Sequence, residues 1–511
     1  MAQSFRALLA QSVGLYYPQT NKGRRSRRKL PKSPVDALDA GIAKEPGGSP
    51  MALRMTRRSW LKQSLATGAA WYILHSTRVA FSYEANEKVA YAAVGLGKRG
   101  SYLAPTFARI GATPVALCDA NTEQLGKLAE KLPGAALYQD FRKMFDEKGS
   151  QIDAVVVATP DHTHAVVSAA ALHLNKHVYC EKPISHDVRE ARILRDLANQ
   201  KGVATQMGNQ GMATDSFRRV LELLEDGMIG DIREVHVWFV FGGSGPRVPP
   251  KDQPPVPEHL NWDLWLGPAA ERPYHPQYVS GWGGWWDFGT GCLGGGGSHS
   301  LNLAFKALKL RELWDPPASS GKRIRIESEI PEKAPHGFPR WQFVRFYIPA
   351  RSSQPPAIIH WYNADEDELR RQGVWRKLQE IAGRDLEWKD RSWTPRSGTL
   401  LVGEKGVVHT NAHNSVCQIL PVEKFPEQTE PPTRNRRVKG HEYEWLDACR
   451  GAGQPLSNFD HAGPVIELLL AANVAGRFDE PLEYDPVACR VVGNDEADAL
   501  LRPPYRKGWT L

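Results

Sequence analysis

A doubly wound parallel α/β sheet is the fold predicted by the first half of this 511-residue sequence, and three observations predict it. Short β-branched runs alternate with helical stretches from Lys88 onward. A glycine triplet, Gly95-x-Gly97-x-x-Gly100, stands where the first strand turns into the first helix. An acidic residue, Asp119, closes the second strand nineteen residues after Gly100.

Taken in order, "KVAYAAV" is an apolar strand, and the glycines precede a helical stretch ending near Gly111. "TPVALCDAN", "IDAVVVATP" and "HVYCEKP" are the following strands, with helical segments between them. A glycine triplet alone is weak evidence, but this one has strand, helix and acid in the right places. The glycines let backbone approach a pyrophosphate, and the helix N-terminus offers amide donors. Asp119 would accept from ribose hydroxyls and favour NAD. Lys98 and Arg99 could each pair with an extra phosphate, so NADP stays open. Beyond residue 230, "IREVHVWFVF", "WQFVRFYIP", "AIIHWYN" and "GTLLVGEKGVVHT" have the aromatic and β-branched content of strands. Residues 441–475 have helical spacing, and the Pro/Gly/charge-rich stretches 242–260 and 312–340 are expected as surface loops.

The formal charge of +8 is localised. Residues 1–62 carry 13 Lys and Arg against 3 Asp and Glu, which leaves −2 for the rest. The basic balance therefore gives no argument for nucleic acid. Residues 1–54 have the composition of a disordered basic extension, or of sequence ahead of a later start at Met51 or Met55. Residues 55–82 hold Arg57-Arg58 and Trp60-Leu61-Lys62 before a mildly apolar run, similar to a twin-arginine export signal. That run is too short for a stable membrane span. A periplasmic or otherwise exported protein is expected. The six cysteines show no metal-ligand spacing and predict no disulfide framework.

The stretches "ATPDHTHA" (158–165), "CEKPISHD" (180–187), "GNQGM" (208–212), "WWDFGTG" (285–291) and "GHEYEWLDACRGAGQPLSNFDHAGP" (440–464) resemble one family. It is Gfo/Idh/MocA (glucose–fructose oxidoreductase / inositol dehydrogenase), here in the exported branch of planctomycete type, over about residues 86–490. The resemblance implies a Rossmann domain over 86–206 that binds NAD (NADP possible). It implies next an α+β substrate and oligomerisation domain over 207–490, built on a large open, mostly antiparallel sheet, then a tail over 491–511. It implies that Thr159, Pro160 and His164 line the nicotinamide ribose. Glu181 and Lys182 would sit at the nicotinamide, Lys182 reaching the substrate hydroxyl, with Asn209 and Gln210 near the ring. A dimer or tetramer is expected on the same ground.

Moving a hydride from a carbinol also requires taking up the hydroxyl proton, so a base must reach that oxygen. A lysine beside a cationic ring is pushed toward neutrality by like charge and desolvation, and its charged form stabilises an alkoxide. Lys182 suits this role. A lone lysine is ordinarily a solvated charge, but ligands bind at strand carboxyl ends in such sheets. The family resemblance makes His299, in "GTGCLGGGGSHSLN" (289–302), the catalytic histidine. The carboxylate expected four residues earlier is Gly295, and the acid expected three residues later is Asn302. The missing partner removes an orienting contact, and the extra glycine is expected to loosen the loop. Asp287 is the candidate to supply the lost carboxylate. A structural loop histidine is the bland alternative for His299.

Trp262, Trp265, Trp282, Trp285 and Trp286, with Tyr274 and Tyr278, cluster just before this loop. Most are expected in a core, but indole faces also stack on sugars. The sequence thus predicts an NAD(P)-dependent oxidoreductase acting on a sugar or cyclitol hydroxyl with tightly held cofactor. Two alternatives stand beside it: an NAD-dependent glycoside hydrolase or lyase working through transient oxidation, and a catalytically weakened nucleotide- and sugar-binding protein.

Overall fold

The computed structural model describes residues 88–243, 245–317, 319–352, 354–388 and 395–511. The basic extension and the twin-arginine stretch lie outside the described residues. β1 (Ala90–Val94), β2 (Thr113–Cys118), β3 (Ala136–Tyr138), β4 (Ala154–Val157), β5 (His177–Cys180) and β6 (Thr205–Met207) form a parallel sheet in the order β3-β2-β1-β4-β5-β6. Val155 and Val157 face one buried cluster while Ala154 and Val156 face another. Burial on both faces explains why this strand is a continuous apolar run. The connecting helices are α1 (Gly100–Arg109), α2 (Thr122–Ala129), α3 (Phe141–Lys148), α4 (Asp161–His173) and α5 (Val188–Lys201). Asn121 and Asp140 cap α2 and α3 by accepting from backbone N–H groups. A capping box of Asp187 and Glu190 starts α5, and Gly202 at φ 64° stops it. Strand order reverses between β1 and β4, which leaves a crevice at their carboxyl ends.

After α6 (Asp215–Glu225) comes a nine-stranded sheet in the order β13-β12-β11-β7-β10-β9-β8-β14-β15. Its strands are β7 (Ile232–Val240), β8 (Ile324–Glu329), β9 (Gln342–Ile348), β10 (Ala357–Ala364), β11 (Gly398–Gly403), β12 (Val407–Asn411), β13 (Cys417–Leu420), β14 (Leu482–Asp485) and β15 (Arg490–Val492). All neighbours are antiparallel except β7 and β10. The helices that flank it are α7 (Glu366–Arg371), α8 (Val374–Ala382) and α10 (Phe459–Ala475), whereas α9 (His441–Cys449) packs on the first sheet, where Trp445 joins the cluster of Tyr91 and Phe107. Val235, Val237 and Phe239 of β7 join the cluster that contains Val465 and Leu469 of α10. Trp238 points the other way and packs with Trp375 and Leu378 of α8. The strand period of two thus assigns one face to α10 and the other to α8.

The two parts are tied at Glu467, which is fully buried. Arg192 of α5 donates to both its carboxylate oxygens at 2.9 and 2.8 Å, and Trp314 and Tyr484 donate at 2.8 and 2.7 Å. One expectation fails: residues 312–340 are not only loop, because β8 lies within them and pairs with β9 and β14. The alternation Ile324-Arg325-Ile326 is a strand signal that the flanking Pro, Gly and charges obscure.

Candidate active site

A cavity of about 710 Å³ opens at the carboxyl ends of β1, β2, β4 and β5. The glycine loop forms one wall. Gly95 has φ +83°, and a Cβ there would lie 2.4 Å from the Thr159 nitrogen. A Cβ on Gly100 would lie 1.8 Å from the Gly95 carbonyl oxygen, so only glycine lets α1 start this close to β1. A Cβ on Gly97 would meet nothing within 4 Å, because that position opens onto the cavity. Backbone that can be approached this closely, next to a helix start, fits a dinucleotide pyrophosphate. Asp119 lines the cavity while accepting from the backbone N–H groups of Leu96 and Asn121 at 2.6 and 2.8 Å. Burial raises its pKa despite those two bonds.

Lys98 and Arg99 both line the cavity but differ in availability. Arg99 Nε donates to Glu181 Oε1 at 2.7 Å, and its Nη2 lies 3.7 Å from Glu442. Glu181 in turn packs so tightly on Gly208 that a Cβ there would lie 2.5 Å from its Oε1. The Glu181 carboxylate therefore braces the glycine loop against the "GNQ" turn, and Arg99 is committed to that brace. Lys98 is the cation left for a phosphate.

Thr159, Pro160, His164 and Lys182 line the same cavity. His164 bridges two strand ends: its Nδ1 is 2.6 Å from the Pro183 carbonyl oxygen and its Nε2 is 2.8 Å from that of Thr159. Both ring nitrogens donate only in the imidazolium. Burial opposes that charge, but Cys180, Asp161 and the Pro183 carbonyl outweigh it and push the ring up to about 10. His164 thus fixes the corner that carries Lys182.

Lys182 Nζ donates to the Gly295 carbonyl oxygen at 3.1 Å. The four glycines do not form a slack loop. Leu293–Gly297 is one π turn that runs into the helical turn Ser298–Ser300, a distortion that recurs at functional sites. A Cβ would lie 2.3 Å from Thr290 at Gly294, 3.0 Å from the Phe239 ring at Gly296, and 2.6 Å from Leu469 Cδ2 at Gly297. Close packing on β7 and α10, not mobility, calls for these three glycines. Gly295 is the exception: a Cβ there would meet only Lys182 Nζ, at 4.0 Å. The missing side chain leaves open space directly before the lysine.

His299 is 4 % exposed, and its Nδ1 has no hydrogen-bond partner among the described residues. Its ring meets that of His413 edge-on at 4.5 Å. Burial first, then His413 and Lys182, hold its pKa well below the usual imidazole range. Asn302 donates to the backbone carbonyls of Ser298 and His299 at 2.7 and 3.0 Å, which fixes the turn. Asn209 donates to Asn302 Oδ1 at 3.0 Å. Asn209 and His299 are both buried, and neither is part of the cavity wall that Lys182 lines. Gln210 donates to the Tyr179 hydroxyl at 3.3 Å.

Asp287 is placed elsewhere. It pairs with Arg272 at 2.8 Å and does not line the cavity. Asp161, at the first position of α4, stands with Lys182 and His164 in the cavity wall, where Glu181 is already committed to Arg99. It is 5 % exposed, and Thr290 Oγ1 donates to its Oδ2 at 2.6 Å. Burial raises its pKa, opposed by His164, Thr290 and Lys182. Asp161 lies within the "ATPDHTHA" stretch, but sequence reasoning assigns it no role.

Of the tryptophans, Trp265 and Trp282 reach the cavity, whereas Trp285 is buried beside Tyr278 and Phe288. Trp509, near the end of the chain, also lines the cavity, beside Asp140 and Phe141.

Residues 89–209 match the Gfo/Idh/MocA model described as "Oxidoreductase family, NAD-binding Rossmann fold", and residues 238–309 match its "C-terminal alpha/beta domain". Over these two stretches the chain resembles that family of oxidoreductases. Myo-inositol 2-dehydrogenase of Thermotoga maritima is 28% identical over 160 residues, which is 31% of this chain and 46% of that protein. Inositol 2-dehydrogenase of Rubrobacter xylanophilus is 35% identical over 109 residues, 21% of this chain and 30% of that one. The chain spans less than half the length of these curated relatives. A levoglucosan dehydrogenase solved in complex with NADH and L-sorbose shares the fold, with a TM-score of 0.51 and 15% identity over 78% of this chain and 98% of that one.

Proposed function

We propose that this chain is an NAD(P)-dependent oxidoreductase that removes hydride from a hydroxyl-bearing carbon of a sugar or cyclitol, with Lys182 and His299 handling the hydroxyl proton. The observation that carries the reading is that the glycine loop and Lys182 line one cavity. The nicotinamide, when bound, accepts the hydride. The chain's own groups do the rest. Gly95, Gly97 and Lys98 hold the phosphates, and Asp119 accepts from ribose hydroxyls. Lys182 Nζ takes up the substrate proton and steadies the alkoxide. His299, kept neutral by burial, is ready to accept a proton in turn. Trp265 and Trp282 offer apolar faces to a ring and help exclude water.

The lost acid at Gly295 is answered within the cavity by Asp161 rather than by Asp287. Its carboxylate, held by Thr290, offers negative charge to the Lys182 region. A catalytically weakened protein is the second reading, favoured by the unpartnered Nδ1 of His299. Cleavage of a glycoside through transient oxidation would use the same groups and return the nucleotide unchanged.

The experiment is nucleotide analysis of the purified chain, then fluorescence of NADH formed from myo-inositol, aldoses and aryl glycosides. Protein that retains NAD and forms NADH from a polyol supports the first reading. Release of aglycone without net NADH marks the cleavage reading, and a chain that cannot be loaded with nucleotide sinks both of these and favours a non-enzymatic sugar-binding protein. The twin-arginine box supports export of the folded, loaded protein. Replacing Arg57 and Arg58 by lysine should then leave it in the cytoplasm, and unchanged export would refute that part. A homo-oligomer is expected by family likeness and is checked by light scattering.

A further inference from the structure

Glu234 and His236 stand two residues apart on β7, so their side chains leave the same sheet face. That face is opposite to Val235 and Val237, which pack toward α10. His360 of β10 is the register partner of His236, and the two imidazoles stack at 4.7 Å with 11° between their planes. His236 Nε2 lies 3.1 Å from Glu234 Oε2, and its Nδ1 lies 3.3 Å from the Tyr362 hydroxyl. One donor atom from each of Glu234, His236 and His360 falls within 4.8 Å of the other two. From this juxtaposition we infer that Glu234, His236 and His360 form a binding site for a transition-metal dication of the zinc class, on the sheet face remote from the cavity.

Bonds of about 2.0–2.2 Å in a tetrahedral centre put ligand atoms roughly 3.3 Å apart. The Glu234–His236 pair already has that separation, and His360 needs a rotation of its half-buried side chain to close the third edge. Two imidazoles and one carboxylate select zinc, nickel or copper over calcium or magnesium, which take oxygen donors. Tyr362 occupies Nδ1 of His236, which leaves Nε2 as its ligating nitrogen, as outer-shell partners do at metal sites. The opposing charges are Arg345 and Lys377. Arg345 is bonded to Glu327 at 3.1 Å, which leaves Lys377 as the main electrostatic cost. Glu234 is exposed, so the fourth position is open to water. A three-ligand site facing one ammonium binds more weakly than a closed structural zinc site.

Cobalt titration of the tag-free, chelator-treated full chain is the test, with zinc as competitor. Tetrahedral Co2+ has visible d–d bands that a mere Glu–His hydrogen bond cannot produce. One equivalent of Co2+ should develop those bands, and one equivalent of Zn2+ should abolish them. His360→Ala and Glu234→Gln should each weaken zinc binding by more than about tenfold, and Tyr362→Phe by about tenfold. A wild-type chain without the bands overturns the inference, and so does a His360→Ala variant that keeps them. Circular dichroism of each variant separates loss of a ligand from loss of fold. His360 is the decisive position, because its half-buried side chain can be removed with less damage to the sheet than that of His236.

Discussion

Gly295→Asp should raise activity, because it returns a carboxylate to the open space before Lys182. The substitution costs little in stability. Gly295 does not have a positive φ, and a Cβ meets nothing nearer than Lys182 Nζ at 4.0 Å. Two unit charges at about 4 Å attract by about 4 kcal/mol at an effective dielectric constant near 20. The cavity is open to water, so about 1–2 kcal/mol is the realistic gain for the ammonium that forms as Lys182 takes up the hydroxyl proton. At about 1.4 kcal/mol per tenfold, kcat/KM rises by roughly 5- to 30-fold. The assay is NADH absorbance on the best polyol from the substrate panel, with nucleotide content and melting temperature measured alongside. A variant that folds and holds nucleotide yet shows an unchanged or lower kcat/KM would refute the reasoning that a carboxylate at 295 adds to the charge that Asp161 already supplies.

Other outcomes follow from the same geometry. Lys182→Ala should lower kcat by about 10²- to 10⁴-fold, the range of a general acid–base group, while nucleotide binding persists; His299→Ala should follow it less steeply. Wild-type rates in both variants on an identified substrate would defeat the assignment. Gly297→Ala drives a methyl to 2.6 Å from Leu469 Cδ2 and should cost about 1–3 kcal/mol by overpacking, read as a lower urea midpoint. His162, His236, His409 and His441 are buried neutral, with pKa values lowered from 6.5 to about 3. The unfolded chain therefore takes up more protons below pH 6.5, and stability should be complete above that pH and decline as pH falls from 6.5 toward 3. A melting temperature that stays level from pH 7 to pH 4 would contradict this.

What the sequence made legible was local. Strand, Gly95-x-Gly97-x-x-Gly100, helix and Asp119 lie within a span of some thirty residues, and their backbone demands are written in the residues themselves. The glycines before His299 were not legible in that way. Their partners, Phe239 and Leu469, come from β7 and α10, so a run that suggests slackness is in fact close packing. Asp161 went unassigned because its anchor, Thr290, is 129 residues away. Asp287 drew notice by nearness in sequence, but Arg272 takes its carboxylate to a different place. The Glu234/His236/His360 group escaped because a parallel register, not a spacing motif, brings its third member in.

Trp509 also has a consequence for how the molecule comes into being. The wall that it completes begins at β1, more than four hundred residues earlier, so the nucleotide cleft joins the first and last described segments of the chain. During synthesis the glycine loop emerges early but lacks this wall until Trp509 has left the ribosome. A clip that removed Trp509 would therefore open the nucleotide cleft from a distance while leaving both sheets intact.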